Sequence, residues 1–207
     1  DQYLGQSFLL FDKAAGISDN LIWDIAELGN SVITASPVGL EIVEFDQEKT
    51  KVLSKRLFNL GQDEPRKIIA RQNGEMIYVI TAMGDLWLGG LNQTFERVSD
   101  LKLKANCLEE VNGEIWVGTD QGVIKLFGDR ILEQYASELG LGGDRVNGIY
   151  YSKIKNETWV TVLGGSCALY REGRFKLFGP DEGMTSNVIQ DAAFDMNGNP
   201  WFATYDE

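Results

Sequence analysis

The 207-residue sequence predicts an all-β fold, a β-propeller of about five four-stranded antiparallel blades, on three observations. One motif recurs five times at roughly forty-residue spacing, each interval reads as four short strands joined by turns, and no stretch sustains apolar residues at helical period.

The clearest motif copy is Asn112-Gly113-Glu114-Ile115-Trp116-Val117-Gly118-Thr119. Variants surround Tyr78, Trp159 and Trp201, and a degenerate first copy surrounds Ile33. The intervals between these equivalent positions are 45, 38, 43 and 42 residues, the length of four strands with their turns. A second element precedes the motif at 16–24, 140–148 and 183–191, where a Gly-led loop with Asp or Asn opens an apolar run. Within a unit, Val188 to Phe194 reads as a first strand, Asn197-Gly198 as a two-residue turn suited to positive φ, and Trp201 to Thr204 as a second strand. Cys167 to Arg171 and Arg174 to Phe178 supply third and fourth strands, whereas Ile131 to Leu139 reads as a loop or a single turn.

These units divide a single domain, 1–207, into repeats at 20–65, 66–104, 105–143, 144–186, and 187–207 together with 1–19. A lone four-stranded sheet leaves two edges unpaired and one apolar face uncovered, so it needs neighbours, and the motif aromatics are expected to fill the gaps between sheets. The start, Tyr3 to Phe11, matches Tyr170 to Phe178. Two arrangements fit: a closed five-bladed ring whose termini share one blade, or part of a larger propeller.

Asp-Glu-Gly-Met-Thr-Ser-Asn-Val-Ile-Gln-Asp at 181–191 and Gly-Glu-Ile-Trp-Val-Gly-Thr-Asp-Gln-Gly-Val at 113–123 resemble the two halves of the two-component regulator propeller repeat. The likeness is strong over 105–207 and weaker over 26–104, where Trp is absent from the motif position and Ser36 replaces Thr. The resemblance implies a sensor region of a bacterial hybrid two-component system, periplasmic or extracellular. It implies a membrane-anchored histidine kinase portion in the same or a partner chain, and a ligand that includes oligosaccharide among the candidates. A dimer is left open. A protein-interaction scaffold is the alternative, and a propeller lyase or hydrolase a weaker third.

Composition narrows the function further. A net charge of -12 repels phosphate backbones and anionic lipid at long range, so nucleic acid is not an expected partner. No apolar run is long enough to span a bilayer, and direct membrane insertion is not expected. The first residues lack a basic region followed by an apolar stretch, so any secretion signal has been removed or lies upstream. There is no histidine, which removes Ser-His and Cys-His nucleophile pairs and His-ligated metals; the chain is read as a non-enzyme without cofactor or metal. Cys107 and Cys167 read as small buried hydrophobes, and Arg145, Arg171 and Arg174 as solvated charges. Asp195-x-Asn197-x-Asn199 partly resembles a calcium loop, but Pro200 stands where the sharp turn requires Gly, and a hairpin explains it better.

In propellers, ligands commonly meet the loops leading into the first strand and those joining the second and third strands. That mapping selects Asn20, Asp24, Arg145, Asn147, Asn187 and Gln190 from the first set, and Met83, Asp120, Gln121 and Tyr205 from the second. Amides, carboxylates and an aromatic ring suit a neutral sugar, whose hydroxyls need hydrogen bonds and whose apolar face stacks.

Overall fold

The computed structural model describes residues 2–3, 8–48, 50–71, 76–98, 101, 103–164, 166–184, 186 and 188–205, which are almost entirely strand and turn. A short pair, β1 (Gln2–Tyr3) and β2 (Phe8–Leu9), comes first. Sheet one follows as β3 (Asp24–Leu28), β4 (Ser31–Ser36), β5 (Gly39–Phe45) and β6 (Val52–Phe58). Sheet two is β7 (Pro65–Arg71), β8 (Met76–Thr81), β9 (Leu86–Gly90) and β10 (Glu96–Arg97). Sheet three is β11 (Ala105–Val111), β12 (Glu114–Thr119), β13 (Gly122–Phe127) and β14 (Arg130–Tyr135), and sheet four is β15 (Val146–Ser152), β16 (Glu157–Val162), β17 (Ser166–Arg171) and β18 (Arg174–Phe178). Sheet five has two strands among the described residues, β19 (Ile189–Phe194) and β20 (Pro200–Thr204). Every sheet is an antiparallel meander in chain order.

Two compact units hold these sheets, Asp1–Asp100 and Leu101–Glu207. Within the first, β3 lies against β7; within the second, β11 lies against β15 and β15 against β19. First strands thus pack beside first strands, so each sheet covers the apolar face of its neighbour. Leu28, Ile33, Leu40, Ile42, Ile68 and Val79 fill the space between sheets one and two. Trp116, Val123, Leu141, Val146, Ile149 and Phe175 fill that between sheets three and four, and Trp159, Cys167, Leu169 and Ile189 that between sheets four and five.

The motif residues each have a physical task. Asn112 at φ 51° and Gly113 at φ 82° form the left-handed pair that a two-residue hairpin requires. Trp116 is buried between sheets. A Cβ on Gly118 would run into Cys107 Sγ and Val146, so only glycine lets the first strand of sheet four approach. Thr119 Oγ1 donates to Gly122 O at 2.9 Å, closing the turn, and Ser36 makes the same bond to Gly39 O at 3.0 Å. The Ser-for-Thr exchange therefore keeps the hydroxyl and its function.

Two expectations change. Ile131 to Tyr135 belongs to β14, and one 3-10 turn, Ser137–Leu139, covers the rest of the segment read as a loop. This outermost strand has mostly exposed side chains and is held by main-chain pairing to β13, so it shows little apolar alternation. Trp201, the fifth motif aromatic, is 69 % exposed, because no third strand pairs with β20 among the described residues. Ile33, Tyr78, Trp116 and Trp159 are buried as expected, as is Cys167, while Cys107 is half-buried.

Candidate functional site

At one end of sheets two to five, the loop leading into the first strand is tied to the residue that follows the second strand by one main-chain hydrogen bond, whereas in sheet one Trp23 donates to Ala35, inside β4. Trp23 N donates to Ala35 O at 2.8 Å, Ala82 N to Glu64 O at 2.8 Å, Asp120 N to Lys104 O at 3.1 Å, Leu163 N to Arg145 O at 2.8 Å and Tyr205 N to Val188 O at 3.0 Å. Two loop sets far apart in sequence become one surface per sheet.

Just inside that end, sheets two to five carry a β-bulge in the first strand, which re-aims one side chain. The extra residues are Arg66, Asn106, Asn147 and Gln190. Asn106 Nδ2 donates to Val146 O and Asn147 Nδ2 to Ile189 O, both at 3.1 Å, stitching each first strand to the next sheet. Asn147 Oδ1 is buried with no hydrogen-bond partner among the described residues. Arg66 instead lies over the Trp23 ring, 4.0 Å from its centroid, and its Nη2 reaches Glu64 Oε2 at 2.7 Å. In sheet one the pairing of β3 with β4 runs from Asp24–Ala35 without a register shift, and Asp24 Oδ2 accepts from Ile68 N at 2.8 Å.

At the opposite end of sheets three and four lies an open polar pocket of about 470 Å³, whose lining includes Asn112, Glu114, Lys155, Asn156, Thr158 and Glu172. Trp116, Lys125 and Tyr170 also line it. Lys125 Nζ stands 4.6, 4.8 and 5.0 Å from the ring centroids of Trp116, Tyr170 and Tyr135, and pairs with Glu133 at 2.7 Å. Burial pulls the lysine pKa down, but hydrogen bonds from the ammonium to Glu133, Tyr135 and Tyr170 outweigh it and hold the group above its ordinary value. On the same rung, burial pushes Glu109 up to about 7 against the pull of Lys153. Among the described residues no group of three or more Asp, Glu, Cys or His converges to hold a metal ion. Asp195 serves its turn, with Oδ1 accepting from Asn197 N and Asn199 N at 2.8 Å each and Oδ2 from Asn199 Nδ2.

No protein-family model and no curated protein matches the sequence. Solved structures do match. The WD40 β-propeller domain of Doa1 superposes with a TM-score of 0.65 at 12 % identity, over 88 % of this chain and 61 % of that one. The fold is a β-propeller. The extracellular domain of BT4673 from B. thetaiotaomicron, described as a hybrid two-component system in one structure and a one-component system in another, gives TM-scores of 0.67 and 0.68 at 13 % and 15 % identity. In both, 91 % of this chain is matched, and the chain spans 29 % of the BT4673 chain. These neighbours share the propeller fold that the repeats imply.

The propeller scaffold gathers the candidate residues sheet by sheet. Met83 is 68 % exposed, and its amide donates to the Asp63 carboxylate at 3.1 Å. Asp120 Oδ1 accepts from Lys104 N at 3.2 Å beside exposed Gln121. Arg145 is exposed at the loop tie of sheet four, and Gln190 and Tyr205 are exposed on sheet five. Asn20 Oδ1 accepts from Lys13 N at 2.9 Å. Asp24 and Asn147 use their side chains to hold neighbouring first strands. Asn187 lies outside the described residues. Asn20, Asp24 and Met83 belong to the 1–100 unit, and Asp120, Gln121, Arg145, Asn147, Gln190 and Tyr205 to the 101–207 unit. Sequence reasoning missed Trp23, Arg66 and Asn106. The repeat offset carried the signal for Asn106, which precedes Asn147 by 41 residues, while Trp23 is adjacent to the selected Asp24.

Proposed function

We propose that this chain is the extracytoplasmic ligand-binding part of a two-component sensor, located in the periplasm or outside the cell, with an oligosaccharide as ligand and no catalysis of its own. Occupancy would be passed to a membrane-anchored histidine kinase portion in the same or a partner chain. The observation that carries this reading is the loop end of the sheets in the 101–207 unit, where main-chain ties hold the loops that carry Asp120, Gln121, Arg145 and Tyr205. Carboxylate, amide, guanidinium and ring groups there match the hydroxyls and apolar faces of a sugar. The likeness to an extracellular domain of a two-component system supports the same reading.

A thermal-shift screen against neutral and acidic oligosaccharides tests it, since a saturable ligand raises the melting temperature by mass action. A concentration-dependent rise with one glycan class is expected. No shift across the panel, with a protein partner recovered instead, overturns the sugar reading in favour of an interaction scaffold.

A further inference from the structure

The loop end of the 1–100 unit breaks the repeat at one position. In sheets two to five the residue that opens the first strand, before the bulge, is Pro65, Ala105, Val146 and Ile189, all buried. After it comes the bulged residue, Arg66, Asn106, Asn147 or Gln190, polar in all four; in sheet one the residue before the Asp24–Ala35 pair, whose amide reaches Ala35 O, is Trp23, 39 % exposed. A large aromatic stands where the other sheets carry a polar side chain and leaves part of its ring to solvent, so core packing does not account for it.

Its surroundings are fixed. The Trp23 amide is held by Ala35 O, and the Arg66 guanidinium covers part of the ring at 4.0 Å. Arg66 is itself pinned by Glu64 at 2.7 Å, and Asp63 is held by the Met83 amide. The result is an ordered indole with surface left to solvent, flanked by guanidinium and carboxylate groups on neighbouring loops. An amphipathic ring of this kind, with fixed polar groups at its margin, is suited to a ligand with one C–H face and several hydroxyls.

We infer that Trp23 and Arg66 form a stacking subsite for a neutral sugar ring. The inference rests on the saccharide reading above and gives it a location. The sugar's C–H face packs on the accessible part of the indole, Arg66 N–H groups not used by Glu64 donate to ring substituents, and Asp63 and Glu64 accept from hydroxyls. Arg66 also holds the indole in one orientation, so little side-chain freedom is lost on binding.

Titration of the purified chain with maltohexaose, cellohexaose, xylohexaose and galactohexaose, followed by calorimetry, tests the subsite in wild type, Trp23→Ala, Trp23→Phe and Arg66→Gln. For a hexasaccharide that binds wild type, Trp23→Ala is expected to weaken binding roughly tenfold and Trp23→Phe to retain most of it. The melting temperature should stay near wild type, because the ring lies outside the core. Equal binding by wild type and Trp23→Ala overturns the subsite and leaves the saccharide reading standing. No binding of any hexasaccharide by wild type overturns both. Should Trp23→Ala not fold, Arg66→Gln decides: weakened binding supports the subsite and unchanged binding overturns it.

Discussion

In sheet one the rung crossing all four strands reads Ala26, Ile33, Ile42 and Arg56; in sheet three the same rung reads Glu109, Trp116, Lys125 and Glu133. Ile42 and Lys125 are equally hidden, at 2 % and 7 % exposure. What differs is the company each keeps. Phe58, beside Ile42, occupies the position that Tyr135 takes beside Lys125, and Gly89 of sheet two occupies that of Tyr170 in sheet four. Phe95 fills the room left over Gly89 and packs edge-on to Phe58 at 4.9 Å. Where an ammonium enters, two phenols and a carboxylate enter with it: Lys125 donates to Tyr170 Oη at 3.1 Å, and the two tyrosine hydroxyls lie 2.9 Å apart. One backbone position accepts either an aliphatic or a cation, but a cation only as part of a complete set.

The sharpest way to break this comparison is Ile42→Lys. The new ammonium would lie in an apolar gap, on a rung whose next member is Arg56, with no phenol at positions 58 or 89. A loss of about 3–5 kcal/mol is expected in urea unfolding. A loss under 1 kcal/mol would show that the partners at Lys125 are dispensable.

A smaller effect separates Ala26 from Glu109. Folding raises the Glu109 pKa to about 7, so the folded state holds a proton that the unfolded chain has released. Its contribution to stability is intact at low pH and is lost as pH climbs from the ordinary glutamate range through 7. Glu109→Gln should remove this part of the pH dependence, leaving the variant more stable than wild type by on the order of 1–3 kcal/mol at pH 8 and nearly equal to it at pH 4. Parallel profiles for the two proteins would contradict the assignment.

Tyr170→Phe should have the smallest effect, about 1 kcal/mol, because it deletes one hydroxyl and leaves the ring and Glu133 in place. Combined with Lys125→Met it should cost less than the two single changes added together.

Much of the scaffold was legible because the repeat constrains it physically. Gly118 and Thr119 are dictated by a close strand approach and a turn-closing hydroxyl, so they recur and can be read. The outer strand at Arg130–Tyr135 was not legible, because main-chain pairing asks little of its side chains. The site was legible only in part. The loops that carry Met83, Asp120 and Gln121, and Tyr205 lie beside the loops leading into their own sheets. Asp24 and Asn147, chosen for their chemistry, hold the neighbouring first strands, and nothing in one repeat alone reveals the strand that the next repeat will bring. Trp23 escaped notice because it stands where the other sheets carry Arg66, Asn106, Asn147 and Gln190, a departure visible only once the bulges are located.

The ties at the loop ends of sheets two to five are made by peptide groups alone. Nearly any residue can donate or accept in this way, so side chains such as those of Met83, Gln121 or Arg145 are free to drift without unfastening the frame. Relatives built on the same ties could exchange specificity through point changes at that rim while their interiors remain the same.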